Sequence, residues 1–197
     1  EKGSSLNRRL IKSTNKANFI IANSNFTKEL AIKVGINSSK IKVIFPGIPK
    51  PKVIEDKFKT EAESILKDAF PKIITVARLE KRKSHDKVLM AIKNLKAKFP
   101  NIKYICIGFG KEENNLKKLS KELSIENEVI FLKNIDENLK LALIASSNLF
   151  LMPSRIDKKS VEGFGISFIE AASYGVGSIG GKDGGESDAI AHNKTGL

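Results

Sequence analysis

Residues 72–107 read KIITVARLEKRKSHDKVLMAIKNLKAKFPNIKYICI, and this stretch decides the fold. It opens on a β-rich apolar run, Lys72–Ala77, and closes on a second, Ile102–Ile107. Between them Val88, Ala91, Ile92, Leu95 and Phe99 recur at the spacing that keeps side chains on one face of a helix. Ser84 stands where its hydroxyl can cap the first free N–H groups of that helix. Strand, helix and strand at these lengths make a crossover unit that joins parallel neighbours.

The unit repeats toward the C-terminus. Strands are expected at Glu128–Leu132, Asn148–Met152 and Gly177–Gly180, with helical stripes at Leu116, Leu119 and Leu123 and at Leu139, Leu143 and Ile144. The fold class is therefore α/β, a Rossmann-like doubly wound parallel sheet with helices on both faces. Toward the N-terminus a basic helix, Leu6–Lys16, precedes a short strand, Phe19–Ala22. Asn23, Ser24 and Asn25 suit the turn into a helix Thr27–Val34 that stops at Gly35. A further apolar run, Ile41–Phe45, gives way to Pro46, Gly47, Pro49 and Pro51, a stiff irregular link. The boundary falls near residues 50–60, so residues 1–55 and 56–197 are expected as separate units.

Composition narrows the function classes. The 197 residues are 41% hydrophobic and 29% charged, ordinary for a globular protein, and no apolar run approaches the ~20 residues that span a bilayer. Glu1-Lys2-Gly3 leads into a polar stretch with no secretory leader, and the one cysteine, Cys106, sits between apolar neighbours and reads as core. A disulfide within the chain is excluded, a thiolate metal site is not expected, and a reducing cytoplasm is the expected compartment. The net charge of +13 would attract phosphate, but the lysines are spread along the chain, with two tyrosines and no tryptophan to stack bases. Nucleic acid is not the expected partner; peripheral contact with a membrane surface stays open.

In a doubly wound sheet, ligands sit beyond the carboxyl ends of the strands. The loops to inspect are 78–83, 108–111, 133–136, 153–165 and 181–186. Arg78 and Lys83 would suit an anionic leaving group, an Arg fork beside a Lys point charge, although the loop standing alone reads as solvated surface charge. Gly108 and Gly110 start a dinucleotide fingerprint, but its third glycine would fall at Glu113, so a turn is expected. His85 and His192 each stand alone and are expected on a helix surface or a loop.

The most informative segment is Val161-Glu162-Gly163-Phe164-Gly165-Ile166-Ser167-Phe168-Ile169-Glu170. Its glycines let backbone approach a ligand, and a helix starting near Gly165 aims free N–H groups at an anion or hydroxyl. An arbitrary pair of glutamates spaced like Glu162 and Glu170 would be surface charge. The glycines and helix start between them turn the reading toward a site.

That segment, with Ile-Ile-Ala-Asn-Ser-Asn-Phe-Thr from 20, Lys-Val-Ile-Phe-Pro-Gly-Ile from 42 and Val-Ala-Arg-Leu-Glu-Lys-Arg-Lys from 76, resembles the retaining glycosyltransferase family four of the GT-B fold. Within the family the chain is most similar to phosphatidylinositol-mannoside-type mannosyltransferases, whose motif also follows a short basic insertion like Asp157-Lys158-Lys159-Ser160. The resemblance implies transfer of a hexose from a nucleoside diphosphate sugar, GDP-mannose or a UDP-hexose, with no metal and no separate cofactor. It assigns Arg78 and Lys83 to the diphosphate. It places Glu162 at the donor sugar with the backbone of Phe164, Gly165 and Ile166, Glu170 at the ribose, and Ile135 near the base. It makes residues 1–55 the end of the acceptor-side domain and 56–197 the donor-nucleotide domain lacking its last strand and helices, inactive alone, with the acceptor undefined. Against the family pattern, Ser84 and Lys133 stand where glycine is usual and Gly177 where proline is usual. Two other readings stay open: a sugar-nucleotide or polyanion-binding module without catalysis, and a nonhydrolysing sugar-nucleotide epimerase.

Overall fold

The computed structural model describes residues 5–197, with side chains from residue 8 onward; the polar start Glu1-Lys2-Gly3 lies outside the described residues. Helix α1 (Ser5–Thr14), strand β1 (Ile20–Ala22), helix α2 (Asn25–Lys33) and strand β2 (Ile41–Val43) come first. β1 and β2 pair in parallel as a sheet of their own over a small core of Ala22, Ile36 and Ile41. Ser24 caps α2, its hydroxyl accepting from Thr27 N at 2.9 Å, and Gly35 takes a φ of 106° just beyond the helix end. Residues 44–55 carry no regular structure.

From α3 (Asp56–Leu66) onward the chain alternates: β3 (Lys72–Val76), α4 (His85–Lys96), β4 (Lys103–Ile107), α5 (Glu113–Glu122), β5 (Val129–Leu132), α6 (Glu137–Ala145), β6 (Leu149–Met152), α7 (Ile166–Ser173), β7 (Ser178–Gly180) and α8 (Glu186–Ala189). The sheet is parallel throughout, in the order β5-β4-β3-β6-β7. The chain therefore winds outward from β3 through β4 and β5, then returns to lay β6 on the other side of β3.

Side chains alternate across the sheet with period two, as strand geometry requires. On β4, Ile105 and Ile107 face one core, shared with Ala62 and Leu66 of α3, Leu143 of α6 and Phe168 of α7. Tyr104 and Cys106 face the other, shared with Val88, Leu89 and Ile92 of α4 and Leu116 of α5. Each expected strand is found within two residues of its expected bounds.

Three expectations are corrected. His85 is not on a surface: it is 2% exposed and opens the buried stripe of α4 with Val88, Leu89 and Ile92. Leu89, not Ala91, completes that stripe, which a helical start at His85 sets by the three- and four-residue spacing. Ser84 occupies the cap position of α4 but makes no capping hydrogen bond. Its backbone is left-handed, φ 58° and ψ 29°, so the hydroxyl points elsewhere and accepts from Arg155 Nη1 at 3.2 Å.

Candidate functional site

The point where the sheet reverses direction lies between β3 and β6, and there the loops that leave the two strands diverge to form a crevice. The first loop runs from Arg78 through the 3₁₀ turn Lys81–Lys83. The second is 153–165, and Arg155 N donates to Arg82 O at 2.8 Å to hold the two together. The loop after β4 supports the first from beneath: Leu79 N donates to Phe109 O at 2.9 Å, and a Cβ on Gly108 would collide with the Ala77 carbonyl. Gly108 and Gly110 are thus packing glycines, as expected of a turn.

Five side chains from these loops form a chain of alternating charge. Arg78 Nη1 meets Glu80 Oε1 at 2.9 Å, Glu80 Oε2 accepts from Arg82 Nε at 3.1 Å, and Arg82 Nη1 donates to Glu162 Oε2 at 2.9 Å. Lys83 Nζ pairs with that same oxygen of Glu162 and donates to Met152 Sδ at 3.3 Å. The chain runs inward from water, since Arg78 is 64% exposed at its side chain, whereas Arg82, Lys83 and Glu162 are 10%, 9% and 12% exposed. Burial depresses the Lys83 ammonium, and Glu162 offsets only part of that. Burial pushes the Glu162 carboxyl up, but the hydrogen bond and charge of Lys83, with Arg82 behind it, outweigh this and hold it below its ordinary value. Glu162 is therefore an ionised carboxylate in a largely dry setting.

The structure brings Arg78, Lys83 and Glu162 together. Phe164 is 4% exposed and stacks on Phe45 with ring centroids 5.9 Å apart, which ties the segment after β2 to the site. Gly165 has a φ of 90°, and a Cβ there would lie 2.5 Å from the Phe168 ring, so only glycine fits. Ile166, half exposed, begins α7 with its first N–H groups directed at the crevice end. Loop 181–186 closes the floor: Gly185 N donates to Glu162 O at 2.9 Å. α2 abuts the same place, with Asn25 N and Nδ2 donating to Asp188 at 2.6 and 2.9 Å.

Glu170 and Ile135 are set apart from that cluster. Glu170 Oε1 accepts from Lys140 Nζ at 2.8 Å, and Lys140 also pairs with Glu137 at 2.8 Å. Glu170 lines a separate cleft of about 140 Å³ between residues 48–52 and α6 and α7. Ile135 is half-buried against the core at the start of α6, and Lys133 beside it is exposed and paired with Glu113 at 3.3 Å. The Glu162 and Glu170 carboxylates thus lie in two places, joined by the glycine turn and the first half of α7.

The sequence reading missed Glu80, Arg82 and Glu186. Arg82 carried a signal, being next to Lys83 in the same post-strand loop. Glu186 lies at the end of another loop already singled out, after a Gly-Gly pair that lets backbone approach closely. Among the described residues, no group of three His, Cys, Asp or Glu side chains could hold a metal ion, and no helix is long and apolar enough to cross a membrane.

The doubly wound parallel domain has the fold of one half of a GT-B protein. Anabaena Alr3699/HepE, solved with UDP and glucose, matches the fold with a TM-score of 0.83 over 97% of this chain and 52% of its own, at 22% identity. WaaG, a glycosyltransferase involved in lipopolysaccharide biosynthesis, gives 0.74 over 90% of this chain and 48% of its own, at 17% identity. The chain belongs to the family of glycosyl transferases group 1, whose model matches residues 56–197. It is similar to the GDP-mannose-dependent alpha-(1-6)-phosphatidylinositol monomannoside mannosyltransferase of Mycobacterium tuberculosis, at 31% identity over 64% of this chain and 34% of the relative. It is similar also to the monoacylated-substrate counterpart of Corynebacterium glutamicum, at 30% identity over 71% of this chain and 37% of the relative. The chain spans little more than a third of the length of these curated relatives.

Proposed function

We propose that the complete protein transfers a hexose from a nucleoside diphosphate sugar to an acceptor with retention of configuration, and that this chain holds the donor. The observation that carries this reading is the buried Lys83–Glu162–Arg82 group at the switch-point crevice. Departure of a diphosphate needs cations at its oxygens, and Arg78, Arg82 and Lys83 supply three. Exposed Arg78 meets the diphosphate first. Glu162, fixed by two cations, presents an ionised oxygen to the positive charge that grows at the anomeric carbon as the glycosidic bond to phosphate breaks. The N–H groups at the start of α7 receive phosphate or hydroxyl oxygens. Glu170, with Oε1 committed to Lys140, offers Oε2 to ribose hydroxyls, and the backbone near Ile135 flanks the base.

GDP-mannose is the first choice of donor because the mycobacterial and corynebacterial relatives are named as dependent on it. A UDP-hexose is the second, since Alr3699/HepE was solved with UDP and glucose. A lipid acceptor at an anionic surface fits the charge of +13 and the acceptors in the relatives' names. Residues 1–55 are assigned to the acceptor-side domain and 56–197 to the donor domain, and transfer requires more than this chain.

The test is calorimetric titration of the chain with GDP, UDP and ADP at near-physiological salt, beside Arg78→Ala and Glu170→Ala variants and a single-stranded RNA control. Saturable binding of one diphosphate, weakened in both variants, is expected. Salt-sensitive RNA binding with no preference among diphosphates would overturn the reading.

A further inference from the structure

Glu186 opens α8 and lies against the charge network without joining it. The residue is 1% exposed, and neither of its carboxyl oxygens has a hydrogen-bond partner. The carboxyl faces the loop that carries Glu162: a Cβ on Gly184 would collide with Glu186 Oε2 while sitting 2.7 Å from the Glu162 carbonyl oxygen. The Ser154 hydroxyl, just beyond β6, is buried beside it, near enough to favour the ionised form but outside hydrogen-bond geometry. The charged groups acting on Glu186 are Glu162, from the loop before α7, and Lys83, from the turn after β3. From β7 and α7, Gly180 and the uncharged Phe168 ring lie on that side.

A buried carboxylate whose nearby donors, its own backbone N–H and the Ser154 hydroxyl, make no well-formed hydrogen bond to it is a costly arrangement, whereas a protonated carboxyl is tolerated there. Burial first, then the neighbouring Glu162 charge, push Glu186 up to about 7. The charge balance of the crevice then turns on this proton. Arg78, Arg82 and Lys83 face Glu80 and Glu162, an excess of one positive charge. Ionising Glu186 cancels that excess, and it does so beside Lys83, where a diphosphate would need the charge most.

We propose that Glu186 is a positioning residue of the donor site, a carboxyl that must carry its proton for a nucleoside diphosphate sugar to seat on Lys83 and Arg82. This rests on the donor-site reading above. Ionised, Glu186 competes with the diphosphate for Lys83; protonated, it leaves Lys83 to Glu162 and the ligand. Linkage is reciprocal, so a bound donor holds the proton on Glu186 more firmly and its binding draws a proton from solution.

The experiment titrates the chain with GDP-mannose and with UDP-glucose at about pH 6.5 and about pH 8, each in two buffers of different ionisation enthalpy. The diphosphate diester of either donor has no group that titrates in this range. With a required proton released near 7, the affinity of the donor that binds falls about eightfold between the two pH values. Close to one proton is taken up per donor at the higher pH. Glu186→Gln keeps the shape and neutral charge of the protonated group, and it should bind equally at both pH values with no proton uptake. Parent affinity that is flat with pH, or a Glu186→Gln variant that keeps the slope, overturns the inference. If that variant does not fold, proton uptake by the parent decides alone. Failure of both donors to bind at both pH values sinks the donor-site reading and this inference with it, whereas binding without proton uptake sinks this inference only.

Discussion

Lys83 and Glu162 lie 79 positions apart in the chain and meet at a buried Glu162 oxygen, so their coupling can be measured in a double-mutant cycle. The perturbations are Lys83→Met, Glu162→Gln and the pair. With side chains only 9%, 12% and 10% exposed at Lys83, Glu162 and Arg82, screening by water is slight. Unit charges about 3 Å apart attract by roughly 5 kcal/mol at an effective dielectric near 20, and desolvation of each ion removes several kcal/mol of this. Glu162→Gln strands two buried cations but leaves an amide oxygen to accept, so its cost should be about 2–3 kcal/mol. Lys83→Met leaves Glu162 paired with Arg82 and puts an apolar side chain near Met152, for about 1–2 kcal/mol. Once either partner is gone, removing the other costs less, giving a coupling of about 1–2 kcal/mol. Urea unfolding followed by circular dichroism near pH 6 reads all four chains. Effects that add within about 0.5 kcal/mol would mean that the two side chains do not share this contact, and the site as described would be wrong.

Ser84→Gly should raise stability by about 0.5–1 kcal/mol, because a left-handed φ of 58° costs serine about 1–2 kcal/mol, while the change loses one partly exposed hydrogen bond from Arg155; chemical denaturation checks it. A loss of stability would show that the Arg155 contact outweighs the backbone strain. Glu186 also sets a pH dependence of stability. Its folded value of about 7 lies above the ordinary 4.5, so its contribution is full below about pH 4.5 and lost as pH rises through about 7. Between pH 5 and pH 8 the parent should therefore lose about 2–3 kcal/mol more than Glu186→Gln, measured by urea unfolding of both at each pH.

Much of this was legible in the chain, for identifiable reasons. Strands β3 and β4 are buried on both faces, so Ile73-Ile74 and Tyr104-Ile105-Cys106-Ile107 appear as unbroken apolar or weakly polar runs that no loop would tolerate. Gly165 marked the second site loop because its left-handed backbone and the Phe168 ring exclude a side chain, a constraint that one residue type displays. Other features depended on partners distant in sequence. His85 was read as surface because it stands alone in the sequence, yet its Nδ1 lies 2.9 Å from the Tyr104 hydroxyl, and burial drives its imidazole down to about 4. The spacing of His85 with Val88, Leu89 and Ile92 was the available signal. Beyond its place next to Lys83, Arg82 has no sequence feature that separates it from the other cations of its loop, and the 3₁₀ turn is what brings both it and Lys83 to Glu162.

The reversal of strand order explains why this site needs loops so distant in sequence. Because β6 returns to pair with β3, the turn that carries Arg82 and Lys83 comes to face the loop that carries Glu162. No helix separates them at that edge, since the helices following the two strands depart to opposite faces of the sheet: α4 to the core with Tyr104, α7 to the core with Ile105. The charges are thereby held by diverging elements, and the backbone bond from Arg155 N to Arg82 O fixes their spacing. Midway along α7, Glu170 turns to Lys140 on α6. The glycine turn at 163–165 and the first five residues of α7, a rise of about 6 Å from Ile166 to Glu170, therefore set the two carboxylates on different partners, Glu162 on the loop cations and Glu170 on α6.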